Sequence, residues 1–94
     1  MIYSKILVKG IVQNVHYRDF VKEIAKSMDI NGVVRHCHGD VEVEIEAKSE
    51  AELNEFVRLI QKRKDDRSNI DVKSAAIVSK SLADGQKFIR FSVE

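Results

Sequence analysis

Between Val41 and Lys48 the chain reads Val-Glu-Val-Glu-Ile-Glu-Ala-Lys, apolar and charged residues alternating without a break. A period of two is that of a strand: Val41, Val43, Ile45 and Ala47 share one face, and Glu42, Glu44, Glu46 and Lys48 share the other. A strand with one apolar and one charged face belongs in a sheet covered on a single side. The chain must therefore supply that cover itself, and two stretches of helical period do so. Phe20, Val21, Ile24, Ala25 and Met28 fall on one side of a helix, opposite Lys22, Glu23 and Lys26, which predicts a helix from about Tyr17 to Asp29. Leu53, Phe56, Val57 and Ile60 form the stripe of a second. That helix opens with Ser49-Glu50-Ala51-Glu52, a capping box in which Ser49 accepts from the Glu52 amide and Glu52 reaches back to the Ser49 amide. It ends in Lys62, Arg63 and Lys64, cations suited to the negative end of the helix dipole.

The remaining strands frame these elements. Ile2 to Lys9 alternates, with Ile2, Ser4, Ile6 and Val8 on one face and Tyr3, Lys5, Leu7 and Lys9 on the other. After Asn31-Gly32, Val33 to Cys37 is a short strand, joined through His38-Gly39-Asp40 to the alternating strand as a hairpin. Asp65 to Asn69 is a charged loop, Ile70 to Val78 a fourth strand, and Lys87 to Val93 a fifth, entered through Asp84-Gly85. The order is β-α-β-β-α-β with one extra strand at the end. It predicts an α+β fold, the ferredoxin-like α/β sandwich, with two helices on one face of an antiparallel sheet. Residues 1–94 are expected to form a single domain with one core.

Charge excludes several partners. The 16 basic and 15 acidic residues leave a net charge of +1, so the long-range field gives no general pull toward nucleic acid or an anionic membrane. RNA-recognition domains of similar element order stack bases on aromatics of their central strands; Val41 to Ala47 has no aromatic and exposes glutamates. No apolar run approaches the roughly 20 residues that span a bilayer, and the lysines within Met1–Gln13 do not suit a secretory signal. With Cys37 as the sole cysteine, a cytoplasmic, monomeric protein is expected. His16, His36, Cys37 and His38 carry no metal-binding spacing, and no metal site is expected.

An anion would thus need a local, preorganised site, and Gly10-Ile11-Val12-Gln13-Asn14-Val15-His16-Tyr17-Arg18 offers one. A loop entering a helix presents unpaired amides where the helix dipole is positive, and Arg18 adds a planar fork matching two phosphate oxygens. Read alone, Arg18 is more simply a surface arginine pairing with Asp19, Glu23 or another carboxylate, and His36 a strand histidine with a structural hydrogen bond.

The stretch resembles the signature of the acylphosphatase family, Gly-x-Val-Gln-Gly-Val-x-Phe-Arg, with Gly10, Val12, Gln13, Val15 and Arg18 in matching places and Tyr17 for the phenylalanine. A second family motif, Gly-Trp-Val-Arg-Asn followed by a turn and Gly-x-Val-Glu, is echoed by Gly32-Val33-Val34-Arg35-His36 and Gly39-Asp40-Val41-Glu42. The resemblance implies hydrolysis of an acyl phosphate to a carboxylate and inorganic phosphate, without metal or cofactor. It implies that Arg18 and the loop Gln13, Asn14, Val15, His16 and Tyr17 hold the phosphoryl group. The family's catalytic asparagine positions the attacking water, and here that place is His36. Asn14 replaces the family's loop glycine; asparagine is among the residues that best tolerate positive φ. The His36 exchange leaves three outcomes: water positioning with pH-dependent activity, slow turnover, or a catalytically silent module that binds phosphate or acyl phosphate. Weakened catalysis is the expectation preferred.

Overall fold

A computed structural model of the chain describes residues 1–11, 15–61, 64–65, 70–82 and 85–94. Strand β1 (Ile2–Ile11) leads to helix α1 (Val15–Ser27), then β2 (Asn31–Cys37), β3 (Asp40–Ala47), helix α2 (Glu50–Gln61), a two-residue β4 (Lys64–Asp65), β5 (Ile70–Leu82) and β6 (Phe91–Val93). The sheet order is β4-β5-β1-β3-β2-β6, with both helices on one side. This is the ferredoxin-like sandwich. Among the described residues no helix is long and apolar enough to cross a membrane.

The alternating strand β3 pairs antiparallel with β1 and β2. Its Val41, Val43, Ile45 and Ala47 are fully buried, as are Ile6 and Val8 of β1 and Val34 of β2. Tyr17, Val21 and Ala25 of α1 and Leu53, Phe56 and Ile60 of α2 close over them. Each buried valine, leucine, isoleucine or phenylalanine contributes about 1.5–3 kcal/mol.

Several boundaries differ from the sequence expectation. Helix α1 starts and stops two residues early. Asp29 takes a positive φ of 57°; its amide bonds to the Lys26 carbonyl at 3.1 Å and the Ile30 amide to the Ala25 carbonyl at 2.8 Å. That is a Schellman end, with aspartate where glycine is commoner. The hairpin turn rests on His38 and Gly39, both at positive φ, the pair of conformations a two-residue type I′ turn requires. His38 is therefore a turn residue and not a strand neighbour of His36. The basic end foreseen for α2 is also altered: Lys64 begins β4, while residues 62–63, like residues 66–69 of the charged loop and residue 84 of the last turn, lie outside the described residues.

The sheet is mixed rather than antiparallel, because β6 runs parallel to β2, with Gly32, Val33 and Val34 opposite Phe91, Ser92 and Val93. The expected strand from Lys87 shortens to Phe91–Val93 because its first residues are used otherwise. The amides of Lys87 and Phe88 donate to the two carboxylate oxygens of Glu46, at 2.7 and 2.6 Å. Phe88 also stacks on Tyr3, and Lys87 lies 4.0 Å above the Tyr3 ring. Segment 85–90 thus crosses the sheet face opposite the helices as a strap, and Glu46, one of the charges expected in water, is only 3% exposed.

The other glutamates on that face are paired too. Arg35 Nη1 donates to Glu42 at 2.7 Å and to Glu44 at 2.5 Å, and Arg35 Nε to Glu94 at 3.3 Å; the Tyr3 hydroxyl donates to Glu44. Desolvation opposes ionisation of Glu44, yet hydrogen bonds from Tyr3 and Arg35 outweigh it and hold the carboxyl below its ordinary value of 4.5. Tyr3, desolvated and bonded to Glu44, is pushed up to about 12.

Gly32 was expected before a strand but lies inside β2, and space explains the residue. A Cβ built there would stand 2.0 Å from the Glu44 carbonyl oxygen and 2.9 Å from the Ile45 Cα, so β2 and β3 would have to separate. Gly32→Ala is expected to lower unfolding free energy by roughly 2–4 kcal/mol, measured by urea denaturation; a loss under about 0.5 kcal/mol would contradict the close approach. Because the folded Glu44 pKa lies below the unfolded one, its contribution is present above about pH 4.5 and is lost as pH falls through the folded value. Glu44→Gln should therefore destabilise at pH 7 and flatten the acid limb of stability against pH. An unchanged acid limb would rule this out.

Candidate anion-binding site

The two helix starts are built differently. At α2 the Ser49 hydroxyl accepts from the Glu52 amide at 3.1 Å, and Glu50 and Glu52 lie in the first turn. The Glu52 carboxylate takes the Lys48 amide at 3.0 Å, one residue before the expected Ser49. That end is capped and its dipole met by acids. Helix α1 has no acidic residue in its first turn; it carries Arg18 there instead. The amides of Val15, His16 and Tyr17 fall in the turn where a helix offers no acceptors of its own. Gln13 and Asn14, with Val12, lie outside the described residues.

Arg18 is half-buried. Its Nη1 donates to the Glu94 backbone oxygen at 2.7 Å, while its Nε is buried and has no hydrogen-bond partner among the described residues. Leaving a buried cationic donor unmet costs more than an ordinary lost hydrogen bond, on the order of 1–3 kcal/mol or above. An oxyanion would meet that donor. Among the described residues neither Asp19 nor Glu23 is the partner of Arg18; the main-chain oxygen of Glu94 is.

Tyr17 next to it serves the fold. Its side chain is fully buried, its hydroxyl donates to the Ile60 carbonyl at 3.0 Å, and burial pushes the phenol up. Only its backbone amide remains for an anion. His16 is exposed. The Tyr17–Ile60 bond ties the start of α1 to the end of α2 and so sets where the first-turn amides point.

His36 lies near the end of β2, two residues after buried Val34 and so on the helix-covered face, where it is exposed. A chain of contacts brings this end of β2 to Arg18. The Glu94 amide donates to the Val34 carbonyl at 2.9 Å, and the Glu94 main-chain oxygen receives Arg18. The structure thus gathers Arg18, the α1 amides and His36 about one corner of the sandwich. Cys37 is partly buried, and among the described residues no three His, Cys, Asp or Glu side chains gather as a metal site. Glu94 was absent from the sequence reading; a contact spanning 76 positions leaves no local signal.

Comparison with known proteins bears on family and fold. The acylphosphatase family model matches residues 4–91. The chain is 39% identical over 85 residues to an acylphosphatase of Clostridium acetobutylicum, covering 87% of each. It is 40% identical over 67 residues to a probable carbamoyltransferase HypF of Methanocaldococcus jannaschii, spanning 71% of this chain but 9% of that relative's length. In structure it resembles the acylphosphatase of Bacillus subtilis with a TM-score of 0.81 at 27% identity, covering 100% of this chain and 99% of that one. HypF of T. kodakarensis shares the fold over 100% of this chain and 12% of its own, with a TM-score of 0.77 at 24% identity.

Tyr17→Phe keeps the packing and removes the donor to Ile60. It is expected to cost about 1–2 kcal/mol in urea denaturation, because the Ile60 carbonyl is left without its partner. A neutral result would mean that the hydroxyl does not anchor α1.

Proposed function

Since this chain belongs to the acylphosphatase family, we propose that it hydrolyses acyl phosphates to a carboxylate and inorganic phosphate. The observation that carries the proposal is the Nε of Arg18, buried and without a hydrogen-bond partner among the described residues, at the start of a helix whose first turn has no acidic residue. In this reading Arg18 and the amides of Gln13 to Tyr17 hold the three phosphoryl oxygens. The carbonyl-bearing leaving group departs as a carboxylate, which needs little protonation, so the chain has only to position the reactants and balance charge. His36 orients the water that attacks phosphorus. A neutral imidazole has one donor and one acceptor on opposite edges, where an amide has both on one group; turnover is therefore weaker than with asparagine. No metal or cofactor enters the reaction. The near-neutral charge and single cysteine fit a monomer acting on small molecules in the cytoplasm.

A second reading has its own support. His36 stands where the family's water-positioning asparagine is expected, and a domain with an intact anion site but no such group binds phosphate or acyl phosphate without turnover. The match to a segment of the much longer HypF relative is compatible with a domain used in that way.

Purified protein assayed with a simple acyl phosphate from pH 5 to 8 decides between them. Hydrolysis by wild type, lost by about 10²–10³-fold in Arg18→Ala, is the expected result, with a rate gain in His36→Asn. An inert wild type with an active His36→Asn would establish the silent module. If neither form acts and phosphate gives no thermal protection, the corner is not an anion site.

A further inference from the structure

Arg35 projects from the opposite face of β2 to His36, yet its contacts lead back to Arg18. Its guanidinium is fixed first by Glu42 and Glu44, which take Nη1 at 2.7 and 2.5 Å. Two carboxylates already hold the plane of the fork, so its Nε edge has a set direction, and there it meets the Glu94 carboxylate at 3.3 Å. Glu94 also works in two directions. Its side chain bonds Arg35 on the strap side of the sheet, its amide donates to the Val34 carbonyl at 2.9 Å, and its main-chain oxygen receives Arg18 Nη1 at 2.7 Å.

From this geometry we infer that Arg35 and the Glu94 carboxylate are positioning residues: together they latch the backbone that orients the Arg18 guanidinium. This rests on the acyl phosphate reading above for its functional consequence. The latch is needed because Glu94 follows a strand of only three residues, and so short a ladder opens readily. With the Glu94 main-chain oxygen held, one edge of Arg18 is committed and the buried Nε keeps one direction. A lysine at position 35 would not serve in the same way, since its donors all sit on one freely rotating nitrogen, whereas arginine holds Glu42 and Glu44 at Nη1 and Glu94 at a separate Nε in one rigid plane.

The test uses Glu94→Ala, which removes the side-chain carboxylate and keeps the main-chain oxygen, with Glu94→Gln as the conservative variant. Hydrogen exchange of the Arg18 Nε proton is followed by NMR, inorganic phosphate affinity by titration, and the midpoint of thermal unfolding without phosphate. The expected result is faster Nε exchange and a two- to fivefold weaker phosphate Kd in Glu94→Ala, in keeping with a partly exposed ion pair. Glu94→Gln should recover part of both, and the midpoint should move by less than about 2 °C. Unchanged Nε exchange overturns the latch. So does unchanged affinity in a protein whose wild type binds phosphate, or a loss of affinity that only follows a large drop in midpoint. If wild type binds no phosphate and hydrolyses no acyl phosphate, the proposed function has failed, and Nε exchange alone then decides whether the latch exists.

Discussion

Burial of one face of β3 governs this molecule. Val41, Val43, Ile45 and Ala47 are at zero exposure, and β1 and β2 are registered against that strand on either side. Side chains alternate strictly along a strand, so a slip of one residue would turn Asp40, Glu42, Glu44 and Glu46 toward the core and expose four apolar residues. Surface ion pairs are worth at most about 1 kcal/mol each, too little to offset that exchange at 1.5–3 kcal/mol for each large apolar side chain. The register is set by the apolar half of the pattern, and the glutamates take the places left to them.

Those places turn out to matter. Glu46 gathers two amides of the strap, and Glu42 and Glu44 fix Arg35. The strap carries the chain from β5 across to the outer edge of β2, where β6 pairs in parallel and brings Glu94 beside Arg18. The same strand therefore organises both sides of the sheet: its apolar face places the helices, and its charged face places the last segment. The corner that holds Arg18 lies where the two meet.

The architecture could be read because its signals are local. Period two in β1 and β3, period 3.6 in α1 and α2, and the glycine turn between β2 and β3 each depend on residues close in sequence. Expectations failed where another group competed, whether from a distant element or from the next residue along. Lys87 and Phe88 have strand character, but their amides go to Glu46; Glu52 reaches Lys48 instead of Ser49; and Gly32, taken as punctuation, is a contact surface for the backbone of β3. At the site, Arg18 was identified by its neighbours in a motif, while its partner Glu94 had no such neighbours.

The sequence by itself determined the element order, the buried faces and the identity of Arg18 and His36 as the residues to watch, because periodicity and motif spacing are properties of adjacent positions. The three-dimensional packing decided the parallel pairing of β6, the burial of Glu46, the role of Tyr17 as a helix anchor and the contact of Arg18 with Glu94. Each of these joins residues more than 40 positions apart. A hydrogen bond of that span depends on where two elements come to rest, and that is settled only when the core has closed.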